Sequence, residues 1–360
     1  MSIMNSDFAK LFSRNAELFP HLLNIPSDQI LLSRLSEHDY KSASFLDQRI
    51  ITPKLQRQTV TWSALADIPL PKRTAPNYIF HIGHVGSTLI SRLLGEHPNV
   101  LALREPQILR DLAEISQIQH QPQSPWSPEQ YTLRAKLAIS WLSRTFSEQQ
   151  RVMIKASSFV SEIAHELLDA ENKALFLYVS LNKYLETILA GEGSRAEASQ
   201  LAGARLLRLN KKLPPPNGAS QNTHLGNLWE LSHVQQIALG WLCEMSTLMQ
   251  TYEQQEPSNI YWHDFDVFLN SPKSELVKIA EHFGLPMTSE TADRLVSGPI
   301  MNSYSKAPEH DYSPDLRRQL LQQARTEFAT EIKQTTNWVT GLAKTHPLID
   351  TIVGFTNEGP

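Results

Sequence analysis

The stretch NYIFHIGHVGSTLISRLLGEHPNVLAL (77–103) decides the fold. NYIFHIG (77–83) is an apolar run of strand length, and it breaks at Gly83 and Gly86. Beyond the break, Leu89, Ile90, Leu93 and Leu94 recur at helical spacing until His97-Pro98 stops the pattern. NVLAL (99–103) then reads as a second short strand. A strand, a glycine-bearing loop, a helix and another strand, in that order, open a parallel α/β sheet.

The alternation continues downstream. Residues 128–147 read as a helix, RVMIK (151–155) as a strand, SFVSEIAHELLDA (158–170) as a helix and ALFLYVS (174–180) as a strand. From 182 to 254 the pattern is mostly helical, interrupted by the polar KLPPPNGASQNTH (212–224). NIYWHDF (259–265) reads as one more strand, and amphipathic helices follow at 271–285 and 313–334. Largely apolar strands suit a sheet with both faces covered. The expected architecture is therefore α/β, a three-layer αβα arrangement with a mostly parallel central sheet and extra helices. Ahead of it, Phe8, Leu11, Phe12, Leu18 and Phe19 are loosely helical in spacing, with Pro20 ending the pattern. RQTVTWSAL (57–65) suits a short edge strand, and PLPKRTAPN (69–77) a linker into the core. The implied organisation is an N-terminal helical or mixed extension (1–70), a core domain (71–312) with a helical insertion at about 190–255, and a C-terminal helical segment packed on the core (313–360).

The chain of 360 residues carries 41% hydrophobic and 19% charged residues, a globular composition. A net charge of −4 argues against a dedicated nucleic-acid binder. Arg205, Arg208, Lys211 and Lys212 lie near one face of a helix, either steering an anionic ligand or, the preferred reading, forming a solvated face. The single cysteine, Cys243, has no internal disulfide partner and sits in an apolar stretch. The opening lacks a signal peptide's basic start and apolar run, and no stretch reaches the ~18 apolar residues of a membrane span. The expected location is cytoplasmic. The 13 histidines show no metal-ligand spacing with carboxylate support, so no metal site is expected. No GxSxG occurs, and Trp229, Trp241 and Trp338 read as core residues.

HIGHVGST (81–88) sits where a phosphate cradle belongs, because N–H groups at a helix start converge on an anion. The alternative is an ordinary tight turn with a serine cap. It is not a Walker A loop, since Ser87 precedes Thr88 where a lysine would be needed. Glu105 follows the second strand on the side where such sheets bind ligands, as a base or else as half of an ion pair with Arg104 or Arg110, or as a helix-start carboxylate. Lys155 ends RVMIK and either points into the same crevice or reaches solvent.

FHIGHVGSTLISRLLGEHPNVLALREP (80–106) resembles the start of bacterial sulfotransferase-family domains and tyrosylprotein sulfotransferases, which have a P-loop-type fold. The resemblance is specific over these 27 residues and weaker from roughly 77 to 312. It implies that Gly83, His84, Val85, Gly86, Ser87 and Thr88 bind the 5′-phosphosulfate of 3′-phosphoadenosine 5′-phosphosulfate (PAPS). It further implies that Glu105, eight residues after His97, is the general base, and that Lys155 touches the sulfuryl group. His84 stands where the family has Lys or Arg, and supplies comparable charge only when protonated. Ser180 and Ile188 stand where an arginine and a serine grip the cofactor's 3′-phosphate; Lys183 and Arg195 are the nearby cations, and Lys183 reads as a solvated helix residue. YWHDFDVFLNSPKSELVKIAEHFGLP (261–286) resembles the family's late strand, turn and helix. NSYSKAPEHDYS (302–313) resembles the loop that closes over the nucleotide, with Ser303 and Lys306 toward phosphate and Tyr304 toward the base. The alternative is a polar connector before a helix capped at Ser313. The expected activity is metal-free transfer of a sulfuryl group from PAPS to a hydroxyl or amine. Kinase-like transfer and non-catalytic nucleotide or phosphate binding stand as alternatives. The acceptor, small molecule or peptide, is not encoded in any motif, and its pocket would come from 107–150 and 190–250.

Overall fold

The computed structural model describes residues 6–213, 225–302 and 314–358. Strands β1 (Leu18–Asn24), β2 (Gln29–Arg34) and β3 (Arg57–Thr61) form an antiparallel sheet in that order. Strands β4 (Asn77–His81), β5 (Val100–Arg104), β6 (Arg151–Lys155), β7 (Ala174–Tyr178) and β8 (Ile260–Asp264) form a parallel sheet in the order β5-β6-β4-β7-β8. Every residue of β4, β5 and β7 is buried, which is why their sequences are near-continuous apolar runs rather than alternating ones.

The step from β4 to β5 crosses the sheet one way, and the later steps to β6, β7 and β8 cross it the other way. With right-handed crossovers, this places the helix Ser87–Leu94 on one face and the helices of the later crossovers on the opposite face. The helix Pro272–His282 joins Ser87–Leu94: the His97 ring hydrogen-bonds the Pro286 carbonyl (3.0 Å) and the His282 ring that of Ala174 (3.0 Å). The architecture is the expected three-layer αβα sandwich with a parallel sheet. Its direction of winding reverses at β4, and that reversal opens a crevice at the carboxyl ends of β4 and its neighbours.

The N-terminal reading needs correction. The first helix stops at Arg14, and Leu18 and Phe19 belong to β1. Pro20 does not end a helix; it sits on an edge strand where the register slips between Pro20 and Leu22, a position where a missing N–H is tolerated. RQTVT does form the edge strand β3. The helix expected at 158–170 is instead a 3₁₀ segment (Ser158–Ile163) followed by one α-turn (Ala164–Leu167). The long C-terminal helix is two, Pro314–Glu327 and Ala329–Ala343, because Phe328 leaves helical dihedrals (φ −109°, ψ 24°). Trp229 is 81% exposed rather than core, whereas Trp241 is fully buried and Trp338 packs on the core's edge.

Two buried arginines attach the N-terminal layer to the core. Arg144 donates to the carbonyls of Phe12 (2.7 Å), Asn15 (3.0 Å), Leu18 (2.6 Å) and Trp141 (2.8 Å). Arg104 donates to those of Tyr40 (2.6 Å), Lys41 (2.9 Å) and Ala43 (2.8 Å). Burial draws both guanidinium groups down to about 10. Among the described residues no helix is long and apolar enough to cross a membrane. Ser303, Tyr304, Lys306 and most of the 212–224 stretch lie outside the described residues.

Candidate active site

A cavity of about 970 Å³ opens at the carboxyl ends of the central strands. The loop Gly83–Thr88, Glu105, the start of the 3₁₀ segment and one face of the helix Glu192–Lys212 line it.

The loop owes its course to three residues with positive φ: Gly83 (88°), His84 (56°) and Gly86 (66°). At Gly86 a side chain is excluded twice, by the left-handed backbone and by the Phe265 ring, 2.0 Å from where a Cβ would lie. His81 pins the loop's start: its Nδ1 accepts the Gly83 N–H (3.0 Å), so its Nε2 carries the proton given to the Ala156 carbonyl (2.9 Å). Val85 is fully buried and anchors the loop's middle. The helix Ser87–Leu94 starts without a side-chain cap. Among the described residues no acceptor takes the N–H groups of Val85 to Thr88, as expected of an open helix start. Thr88 is buried, and among the described residues its hydroxyl has no partner. The segment thus presents a row of unpaired N–H donors and a hydroxyl, which fits an anion such as a phosphosulfate.

Glu105 also has positive φ (53°), and its N–H donates to the Lys155 carbonyl (2.7 Å). That turn swings its carboxylate off the strand line: one oxygen pairs with the Lys155 ammonium, the other with Arg49 (3.3 Å). Neither expected arginine is the partner, since Arg104 is spent on carbonyls and Arg110 pairs with Glu114 (3.2 Å). Lys155 does not reach solvent. It is 1% exposed and meets the cavity through Glu105, standing behind it rather than on the wall. Arg49 comes from the N-terminal layer, stacked on Phe45 (3.4 Å) and bonded to both oxygens of Asp47 (2.9 Å each). Burial alone would raise the Asp47 carboxyl; the Arg49 bonds and charge outweigh it and hold it below the usual range. His84 faces Glu197 across the mouth, Nε2 to Oε2 3.8 Å.

Ser180 begins the helix Leu181–Leu189 and Ile188 is buried in it, so neither offers a charge. Lys183 is tied to Glu186 (3.6 Å) and Asp266 (3.7 Å) rather than free in solvent, and Arg195 stacks on Phe328 away from the wall. The cation that does reach this wall is Arg317, paired with Asp266 (3.2 Å) and set over the Phe265 ring (5.7 Å). At the cavity's far end the basic run is not a solvated face. Arg208 is buried, its Nε on Glu162 (2.9 Å) and Nη1 on Glu244 (3.2 Å), and Lys212 also pairs with Glu162 (2.8 Å). Burial would raise Glu162, but Arg208 and Lys212 hold it down, while burial lifts Glu244. Arg205 is buried beside them, and of the four cations Lys211 alone is exposed. Sequence reasoning missed Arg49, Arg317, His81 and Glu197; none belongs to a spacing pattern, and each has a partner distant in the chain: Glu105, Asp266, Ala156 and His84.

No family model and no curated protein matches this sequence. The chain does match solved structures. Sulfotransferases are among those it resembles. They include the sulfotransferase domain of the curacin biosynthetic pathway, at 13% identity over 72% of this chain and 99% of that one, TM-score 0.43. The sulfotransferase domain of the Synechococcus PCC 7002 olefin synthase gives 14%, 72%, 97% and 0.38 on the same measures. A retinol dehydratase in complex with androsterone and the inactive cofactor PAP gives 13%, 75%, 81% and 0.35. The architecture described above stands on strand order and register themselves.

Proposed function

We propose that this protein transfers a sulfuryl group from PAPS to a hydroxyl or amine acceptor. The observation that carries the reading is the convergence, on one cavity, of an open anion cradle (83–88) and the Glu105–Lys155 pair, all at the carboxyl ends of the contiguous strands β5, β6 and β4. Bound there, PAPS would supply the sulfuryl group and retain the bridging charge as 3′-phosphoadenosine 5′-phosphate. The N–H groups of Val85–Thr88 and the Thr88 hydroxyl would hold its anionic oxygens, with His84 adding a positive charge when protonated. Each Glu105 oxygen keeps a lone-pair site beyond its ion pair, enough to accept the proton of the acceptor's hydroxyl. Lys155 and Arg49 would orient that carboxylate and balance its negative charge. Arg317, from the helix Pro314–Glu327, would supply the cation that Ser180 does not. The helices and loops of 107–150 and 190–250 would shape the acceptor pocket.

Binding without turnover is the second reading. Its support is that both Glu105 oxygens are engaged by cations and that Ser180 replaces a phosphate clamp. A thermal-shift panel addresses the cofactor: stabilisation by adenosine 3′,5′-bisphosphate, and none by ATP with magnesium, is the expected result. The reverse pattern sinks the sulfuryl-transfer reading. Glu105→Gln should keep bisphosphate binding and abolish turnover; unchanged turnover removes Glu105 from the base role.

A further inference from the structure

The helix Glu192–Lys212 turns Glu197, Leu201, Ala204, Arg205 and Arg208 toward the cavity, a spacing that defines one helical face. Among these, Arg205 is anomalous. It is 9% exposed, its Nη1 is buried without a hydrogen-bond partner, and among the described residues it makes no ion pair. Arg208 and Lys212 take the carboxylates of Glu162 and Glu244, so neither is paired with Arg205. The guanidinium that reaches the cavity wall is thus the one in this cluster without an ion-pair partner among the described residues.

The neighbouring helix is built around this group. Gly240 lies mid-helix in His233–Gln254, where glycine is unfavourable. A Cβ there would stand 2.8 Å from Arg205 Nη1 and 2.6 Å from the Tyr184 hydroxyl. The recess at Gly240 therefore seats the guanidinium. A buried, unpaired cation is expensive unless an anion completes it. Leu201, Ala204 and Phe159 give the adjoining wall an apolar lining.

We infer that the acceptor is an amphipathic molecule bearing one carboxylate, which seats on Arg205 while the nucleophilic hydroxyl lies toward Glu105. One guanidinium without an ion-pair partner matches one carboxylate, and an apolar body fits the wall between. Eight helical residues separate Arg205 from Glu197 at the His84 mouth. At 1.5 Å per residue this wall runs roughly 12 Å from Arg205 to the His84 mouth, about the length of a ten-carbon chain. The substrate class rests on the sulfuryl-transfer reading; the carboxylate site itself does not.

The test uses ω-hydroxy acids of eight, ten and twelve carbons, their methyl esters and the matching alcohols, with binding measured calorimetrically on the full chain. The ten-carbon acid should bind at least roughly tenfold tighter than its ester, because the ester leaves the buried guanidinium unpaired. Arg205→Met should erase that preference, retain stabilisation by adenosine 3′,5′-bisphosphate, and raise the melting temperature of the unliganded protein. A residue serving only the core would lower it instead. Gly240→Ala, which displaces the guanidinium without removing it, should weaken acid binding and leave ester binding alone. Equal binding of acid and ester by the unmodified protein, no binding of any acid, or an acid preference surviving Arg205→Met would each overturn the inference. Acid preference without bisphosphate binding would spare this site and sink the sulfuryl-transfer reading; the converse would do the opposite.

Discussion

Glu105 shows how strain and chemistry coincide at one residue. Left-handed backbone costs an L-residue on the order of 1–2 kcal/mol, and here it is what turns the carboxylate from the strand line onto Lys155. The two other described non-glycine residues with positive φ are His84, in the same cavity, and Asp28, at the β1–β2 turn. Comparing Glu105→Ala with Glu105→Gly isolates the strain, since both lose the ion pair. Alanine is ordinarily the more stable of the two; here the glycine variant should be more stable by about 1 kcal/mol in denaturant titration. An alanine variant equal to or better than glycine would show that the left-handed turn is not imposed by its surroundings. Thr88 offers a complementary test. Its orphaned hydroxyl contributes nothing to the unliganded protein, so Thr88→Val should leave the melting temperature unchanged or higher. Affinity for adenosine 3′,5′-bisphosphate should fall roughly tenfold, about 1.4 kcal/mol, by titration calorimetry. Undiminished affinity would mean that the hydroxyl does not face the anion.

At the scale of elements, the helix Gln107–Ser116 couples the site to the N-terminal layer, since it begins two residues after Glu105 and packs on β1. Its Asp111 accepts from the Leu23 N–H (3.2 Å) and from Gln107 (2.8 Å). Burial raises this carboxyl to about 6, only partly offset by those two bonds. The folded state therefore favours the protonated form, and the stability it brings is present below the ordinary carboxyl value and lost as pH rises through 6. Asp111→Asn should match the parent near pH 4 and exceed it near pH 7, by up to about 3 kcal/mol at 1.36 kcal/mol per pH unit. A difference that is flat across this range in urea titrations at several pH values would contradict the assignment. The same helix marks the limit of what the sequence reveals. Strands such as VLALR and ALFLY are legible because burial on both faces makes the run itself the signal. LFPHLLN was misread because its first four residues are all buried, which removes the alternation that distinguishes a strand from a helix end. The strand–loop–helix junction at 83–88 was legible because its glycines and the flanking apolar patterns are local. Arg49 beside Glu105 and Arg208 beside Glu162 were not, because their partners lie 56 and 46 residues away and a lone arginine in a polar helix looks solvated.

For the whole molecule, the question is whether the N-terminal sheet is an independent layer or part of one cooperative unit with the parallel-sheet core. Arg144 answers it in structural terms: its donors reach four carbonyls, three of them in the connection from the first helix into β1. The same layer carries Phe45, Asp47 and Arg49 to the cavity. Replacing Arg144 with methionine fills much of the volume but leaves several buried carbonyls without donors, each costing about 1–3 kcal/mol. Loss of the buried guanidinium's own desolvation offsets part of that, so a net loss of about 3 kcal/mol is expected for Arg144→Met. If layer and core unfold together, the denaturant midpoint falls, the slope is unchanged and a single transition is retained. Hydrogen exchange should then accelerate together in β1, β2 and the amides flanking Glu105. Two separated transitions, or faster exchange confined to β1–β3 with Glu105 untouched, would establish that the layer is only docked and that Arg49 reaches Glu105 from a separately folding unit.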